Sequence, residues 1–496
     1  MSHKHMCVLA LTMAISTSVI VAPNASAQSS DLSSSSSSSS SDSNKSSSSS
    51  DSNKSSGSSG SSDLWERILK LLGRSKIVPL IMQVSPGIIT KKMGDILGRG
   101  ISDHVGAMAG DLGIMVPINK NKEFAIIFGD SFSGNGFGQG NWMSPIGAIA
   151  TYDDNGQIVV KRPLNKGDRI EQLLKYNHDN NLTLIPSDVI NLDGTLYMQG
   201  MWNEGLGNVR GTQIWKSTDQ GKTWSSVATT SKHFMNGFGD LLTWERGDDG
   251  YVYVMSSRFN RNDGVYLSRF RPEQIGDRNT WEHYVNGSWE ANGGRNISPI
   301  IKDDMKAGEM SLRRIEDHWV LCMFNEKTAS IEVRISDRID TNWNDIKPAH
   351  VVVAGNGGWG AAQTPNNFTQ LYGGYIAPGS TIADMNIVVS QWNTSNNSRY
   401  MSTQFNVKGL DKFFGITAKA EEVAANGAQA KPELQNAPVP ANHDGSDNQG
   451  SGVGDDRQIE VRESPVDPEV SGQLAEEKAA EAAADVTVVP LDEEHQ

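Results

Sequence analysis

Cysteine is nearly absent from the chain: of two in 496 residues, Cys7 sits in an N-terminal apolar run without the Gly-Cys or Ala-Cys context of a lipoprotein signal. Cys322 is left without a partner, so no intrachain disulfide is expected. It stands in the apolar run Trp-Val-Leu-Cys-Met-Phe, where a small core residue fits better than a nucleophile or ligand. The histidines, among them His104, His178, His233, His283, His318 and His350, are scattered without zinc spacing, which argues against a transition-metal enzyme. No Gly-x-Ser-x-Gly elbow supports a serine hydrolase, no Gly-Lys-Ser/Thr follows the glycine-rich stretch as a phosphate cradle needs, and no Asp-x-Asp-x-Asp-Gly loop points to calcium. No cofactor and no metal are expected.

Positive charge is also scarce. The net charge is -14, and residues 416–496 alone hold 18 acidic against 5 basic side chains, so the remainder is nearly neutral. That balance excludes an extended basic face for nucleic acid and suits a neutral polymer as partner.

The two ends read as unlike anything that packs a core. Residues 1–27 combine His3, Lys4 and His5, an apolar run from Met6 to about Val21, and Ala25-Ser26-Ala27, the pattern of a secretory signal peptide. The run is shorter than the roughly 20 residues that span a bilayer, so export is expected, with no stable membrane insertion after cleavage; an uncleaved anchor is the alternative. Residues 28–62 are mostly serine with scattered Asp, Asn, Lys and Gly, too polar to offset the entropy of ordering, and read as a disordered linker. Residues 63–99 read as a short helical or irregular lead-in, with Leu64, Ile68, Leu71 and Leu72 at helical spacing between a capping Asp63 and a terminating Gly73. Residues 411–496 form an acidic tail rich in Ala, Glu and Pro that is also expected to be disordered.

Between them, residues 100–410 show short runs of Val, Ile, Tyr, Phe and Trp broken by Gly, Asn and Asp turns, the signature of an all-β domain. Hairpins fall at 113–128, 184–201, 238–253, 309–324 and 371–389. Five such units predict a five-bladed β-propeller, whose radial repetition protects sheet edges. Ser217 to Trp224, Ser-Thr-Asp-Gln-Gly-Lys-Thr-Trp, matches the Asp-box turn of sialidase-like propellers and is expected to be structural, on the outer rim.

Paired carboxylates are the clearest chemical signal. In the first hairpin Asp111 opens the outgoing strand and Asp130 ends the returning one, on backbones about 5 Å apart. Glycosidic cleavage needs such a pair, one to protonate the leaving oxygen and one to activate water or attack the anomeric carbon. Gly-Asp is equally a common turn dipeptide, so capping accounts for the same residues. The next loop, residues 131–145, carries Phe132, Phe137 and Trp142 among four glycines, and Trp142 is a candidate for stacking on a sugar. Asp188, Asp240 and Glu309 open later inner strands, with Glu309 and Asp188 favoured as a third acid. Arg258, beside Arg261, is a candidate hydroxyl clamp, and Trp202, Trp359 and Trp392 are further platforms.

Taken in order, Gly110-Asp-Leu-Gly113, Phe128-Gly-Asp-Ser-Phe132, Asn141-Trp-Met-Ser-Pro145, Ile185-Pro-Ser, the Asp-box, Asp249-Gly-Tyr-Val-Tyr253, Gly308-Glu-Met-Ser311, Tyr372-Gly-Gly-Tyr375 and Ser390-Gln-Trp392 resemble the endo-D-arabinanase-type glycoside hydrolases, a five-bladed propeller family long catalogued as a domain of unknown function. The resemblance covers roughly residues 100–407. It implies that Asp111 and Asp130 are catalytic and that the substrate is internal α-D-arabinofuranosyl linkages of envelope arabinan, in arabinogalactan and lipoarabinomannan. The sequence departs from that pattern at Ser257-Arg-Phe-Asn-Arg261 and over 274–297. The expectation is a secreted or envelope-associated monomeric hydrolase; the alternative is a non-catalytic propeller that binds envelope glycan. A sialidase is disfavoured, because Arg258, Arg261 and Arg295 are dispersed.

Overall fold

The computed structural model describes residues 82–416, apart from 119–121, 206, 303 and 356–357. The signal peptide, the serine-rich linker, the helical spacing at 64–72 and the tail beyond 416 lie outside the described residues. Described strands form five antiparallel sheets arranged as the blades of a propeller. Blade 1 runs outward through Ala109–Pro117, Phe124–Phe132, Ile146–Tyr152 and Ile158–Pro163. Blade 2 comprises Leu182–Leu192, Thr195–Glu204, Val209–Ser217 and Ser225–Ser231. Blade 3 begins with Leu241–Arg246, Val252–Ser257 and Val265–Phe270, and blade 4 with Ala307–Ile315, His318–Asn325 and Ser330–Ser336, ending at Ala349–Val353.

The five hairpins expected from sequence are the two innermost strands of the five blades. Inner strands are packed on both faces by neighbouring blades, which is why they read as continuous apolar runs such as Ala125–Ile126–Ile127–Phe128, all fully buried. Polar groups tie neighbouring blades together near the axis: Ser390 Oγ meets the Leu112 amide, Thr243 Oγ1 takes the Leu312 amide and donates to Asp188, and Ser311 Oγ accepts from the Ile376 amide.

Blade 5 corrects the expected boundary. Its first three strands are Leu371–Ile376, Asp384–Trp392 and Tyr400–Lys408, and its outermost strand is Ile89–Asp95 from the N-terminal side. Those residues had read as irregular because Lys91, Lys92 and Gly94 interrupt the apolar pattern; an edge strand with one face in water needs no more than this. At the other boundary, Leu410–Phe414 adds one helical turn with Leu410 buried.

The segment from 274 to 297 becomes an outward elaboration of blade 3, with a short hairpin Glu282–Val285 and Ser288–Glu290 and the stacked rings of Phe270 and Trp281 behind it. The Asp-box turns the outer edge of blade 2: Asp219 accepts from Ser217 Oγ and Thr223 N, and Trp224 Nε1 donates to Gly221 O.

Candidate active site

A register shift recurs within the inner strand of four blades: at Gly110/Leu112, Pro186/Asp188, Ala307/Met310 and Gly373/Tyr375. Bulges of this kind twist the strand and re-aim a side chain. In blade 1 the bulge sets Leu112 at φ 64, an unfavourable conformation for a branched residue, and the Ser390 hydroxyl holds its amide at 2.8 Å. Asp111 is thereby turned over Gly129. A Cβ at Gly129 would come within 2.6 Å of Asp111 Oδ1, so glycine is required for the carboxyl to sit there.

Asp111 and Asp130 share the floor of an open bowl of about 770 Å³. Its walls are aromatic: Phe132, Phe137 and Trp142 from blade 1, and Tyr372, Trp392 and Tyr400 from blade 5, with Phe137 stacked on Trp392 at 4.5 Å. Blade 2 adds Thr183 and Ile185, blade 3 Phe259 and blade 4 Glu309.

The two aspartates have unequal surroundings. Trp142 Nε1 and Thr183 Oγ1 both donate to Asp130 Oδ1 at 2.8 Å. Asp111 Oδ2 accepts from the Tyr372 hydroxyl at 2.9 Å, while Oδ1 has no hydrogen-bond partner. Removal from bulk water is the largest influence on Asp111, followed by the charge of Asp130; the Tyr400 and Tyr372 hydroxyls oppose them, and its carboxyl is pushed up to about 8. Burial also raises Asp130, but Thr183, Trp142, the nearby His178 and Ser144 all pull it back down. Both acids are therefore raised, but unequally supported: the charge of Asp130 adds to the rise at Asp111, whereas four neighbours oppose it at Asp130, an asymmetry of the kind that divides acid and base roles.

Of the other residues expected from sequence, Trp142 and Glu309 reach the bowl. Trp142 does so with its N–H committed to Asp130. Glu309 is pinned at 2.6 Å by Arg261 and accepts from the Gly373 amide. Two expectations need correction. Asp188 is fully buried below the bowl, where Arg313 grips both its oxygens at 2.9 Å and Thr243 Oγ1 donates at 2.6 Å; it seals the channel and has no oxygen to offer a ligand. Arg258 lies outside the bowl, laid over Phe238 at 4.0 Å with Nε donating to Asn236 O. Trp392 lines the bowl, whereas Trp202 donates to Gln213 and, like Trp359, lies apart from it. The groups missed were Thr183, Tyr372 and Tyr400. Of these only Tyr372 falls in a motif, Tyr-Gly-Gly-Tyr, whose glycines mark its bulge.

Fold and bowl together define a five-bladed β-propeller with a paired-carboxylate site at the start of its inner strands. The chain belongs to the family described as "Domain of unknown function (DUF4185)", which matches residues 99–406. It is 26% identical over 329 residues to an uncharacterized 35.9 kDa protein of Mycolicibacterium smegmatis, covering 60% of this chain and 93% of that one. Among solved structures, it is similar to a putative hydrolase from Bacteroides ovatus (13% identity, TM-score 0.49, 70% of this chain and 100% of that one). An exo-β-1,3-galactanase from Clostridium thermocellum aligns at 10% identity and TM-score 0.40, over 64% of this chain and 62% of its own.

Proposed function

We propose that the protein is a secreted glycoside hydrolase that cleaves internal α-D-arabinofuranosyl linkages of cell-envelope arabinan, with Asp111 as the general acid and Asp130 as the ionised partner that activates water or attacks the anomeric carbon. The carrying observation is the pair of carboxyls in an aromatic bowl, one with its Oδ1 unpartnered and pushed up to about 8, the other with two donors on its Oδ1. The aromatic walls suit stacking on sugar rings, and hydroxyl-rich substrate would meet Glu309 in the same bowl. Arg261 is neutralised by Glu309, which favours an uncharged glycan over a uronate or sialoside. The choice of arabinan rests on the sequence resemblance, and the relative in Mycolicibacterium smegmatis accords with such an envelope.

The test is product analysis after incubating the mature protein, and separately Asp130→Asn and Asp111→Asn, with purified mycobacterial arabinogalactan. Oligosaccharides released by the wild type and reduced by about 10²- to 10⁴-fold in either variant are expected. Binding without release by any of the three would replace the hydrolase with a glycan-binding propeller.

A further inference from the structure

The connection from blade 1 to blade 2 places a histidine directly behind the bowl. The His178 ring lies flat on the Trp142 indole, centroids 3.9 Å apart and planes 20° from parallel, with Tyr176 in edge contact at 5.0 Å. Both of its nitrogens face acceptors: Nδ1 is 2.9 Å from the Leu182 carbonyl and Nε2 is 2.9 Å from Gln172 Oε1. A carbonyl only accepts. Gln172 is equally fixed, because its Nε2 donates to the carbonyls of Leu174 at 2.7 Å and Tyr176 at 3.3 Å while its Oε1 accepts from the Ser144 amide at 3.2 Å.

A histidine between two acceptors satisfies both only when each nitrogen carries a proton. The geometry therefore calls for an imidazolium lying on an indole, a favourable cation–π arrangement. Burial works against that charge and draws the ring below the usual histidine value, while the Leu182 carbonyl and the carboxylate of Asp130 support it. The titratable groups facing it are Tyr176 and, beyond the indole, Asp130.

We propose that His178 is a positioning residue for Asp130 acting through Trp142: its ring fixes the indole plane and, protonated on the acid side of neutrality, polarises the N–H that holds Asp130 ionised. The inference rests on reading Asp130 as the ionised partner in the site. It assigns a purpose to a residue that lines no part of the bowl, 48 positions along the chain from the aspartate it serves.

Two variants of the mature chain separate positioning from packing. His178→Phe keeps a flat ring on the indole but removes the charge and both donors; His178→Arg keeps a planar cation with N–H donors. The readouts are the acid limb of the kcat/KM profile, which reports Asp130, and the proton chemical shift of the Trp142 indole N–H.

In His178→Phe, kcat is expected to fall about ten-fold with KM little changed. The acid limb should move to higher pH, because a carboxyl deprived of a nearby cation ionises less readily, and the indole proton should move upfield as its hydrogen bond weakens. His178→Arg should restore all three. An unchanged acid limb and indole shift in His178→Phe would overturn the proposal, as would equal impairment in both variants. If the wild type cleaves no glycan, the hydrolase reading fails by itself. The indole proton, recorded without substrate, then decides this proposal: unaltered in His178→Phe, it refutes it; displaced there and restored in His178→Arg, it supports it.

Discussion

At the scale of single residues, the unequal pair sets the expected pH behaviour. With Asp111 acting as the protonated member, kcat/KM should fall on the alkaline side as Asp111 loses its proton near pH 8. Tyr372→Phe removes a donor to that carboxylate, so the alkaline limb should shift upward; a pH–rate profile of the variant checks this. Stability carries the same signature. The folded value lies above the unfolded value of 3.8, so the folded state binds the proton more tightly. The stabilisation from that proton is complete below 3.8 and is lost as pH rises through about 8. Asp111→Asn cannot ionise, and should match the wild type near pH 4 yet exceed it at pH 8 by about 1–3 kcal/mol, measured by denaturant titration at both pH values. A gain in stability where activity is lost would mark Asp111 as a residue kept for chemistry.

At the scale of strands and loops, the bulge over Gly129 is the element on which the site depends. Gly129→Ala would drive a methyl against Asp111 Oδ1 and, at 2.9 Å, against Leu112 Cδ1. The expected cost is about 1–3 kcal/mol, with a disproportionate loss of kcat because the carboxyl is displaced; thermal melts and turnover of the same preparation separate the two effects. This element was legible in the sequence because Asp111 and Asp130 belong to one hairpin, whose register follows from its own turn. Asp188 misled for a related reason. Asp111 and Glu309 are each the third residue of their nine-residue inner strands, whereas Asp188 is the seventh of eleven. An acid opening a strand faces the bowl, and one four residues farther along lies in the sealed channel; sequence alone showed the acid but not its depth. Tyr372, Tyr400 and Thr183 were less legible still, since they reach the aspartates from other blades and leave no local periodicity to read.

At the scale of the whole molecule, blades 2 and 4 are tied together by the buried Asp188–Arg313 ion pair. Asp188→Asn deprives the buried Arg313 guanidinium of its hydrogen-bonded carboxylate, leaving only the more distant charge of Glu245, with an expected cost of about 3–5 kcal/mol. Chemical denaturation should show that loss, while the surviving folded fraction keeps its KM for glycan; a raised KM would return Asp188 to the binding site. Ring closure gives the architecture a temporal side as well. Ile89–Asp95 pairs with Tyr400–Lys408, and the hydroxyls beside Asp111 come from Tyr372 and Tyr400, almost the last part of the propeller to be synthesised. On the proposed reading, a nascent chain that has already made Asp111 and Asp130 therefore still lacks the partners that tune Asp111, and a prematurely terminated product carries both carboxylates without the environment of the full bowl. Glycan cleavage, if it follows that reading, would certify that the chain was made through its fifth blade.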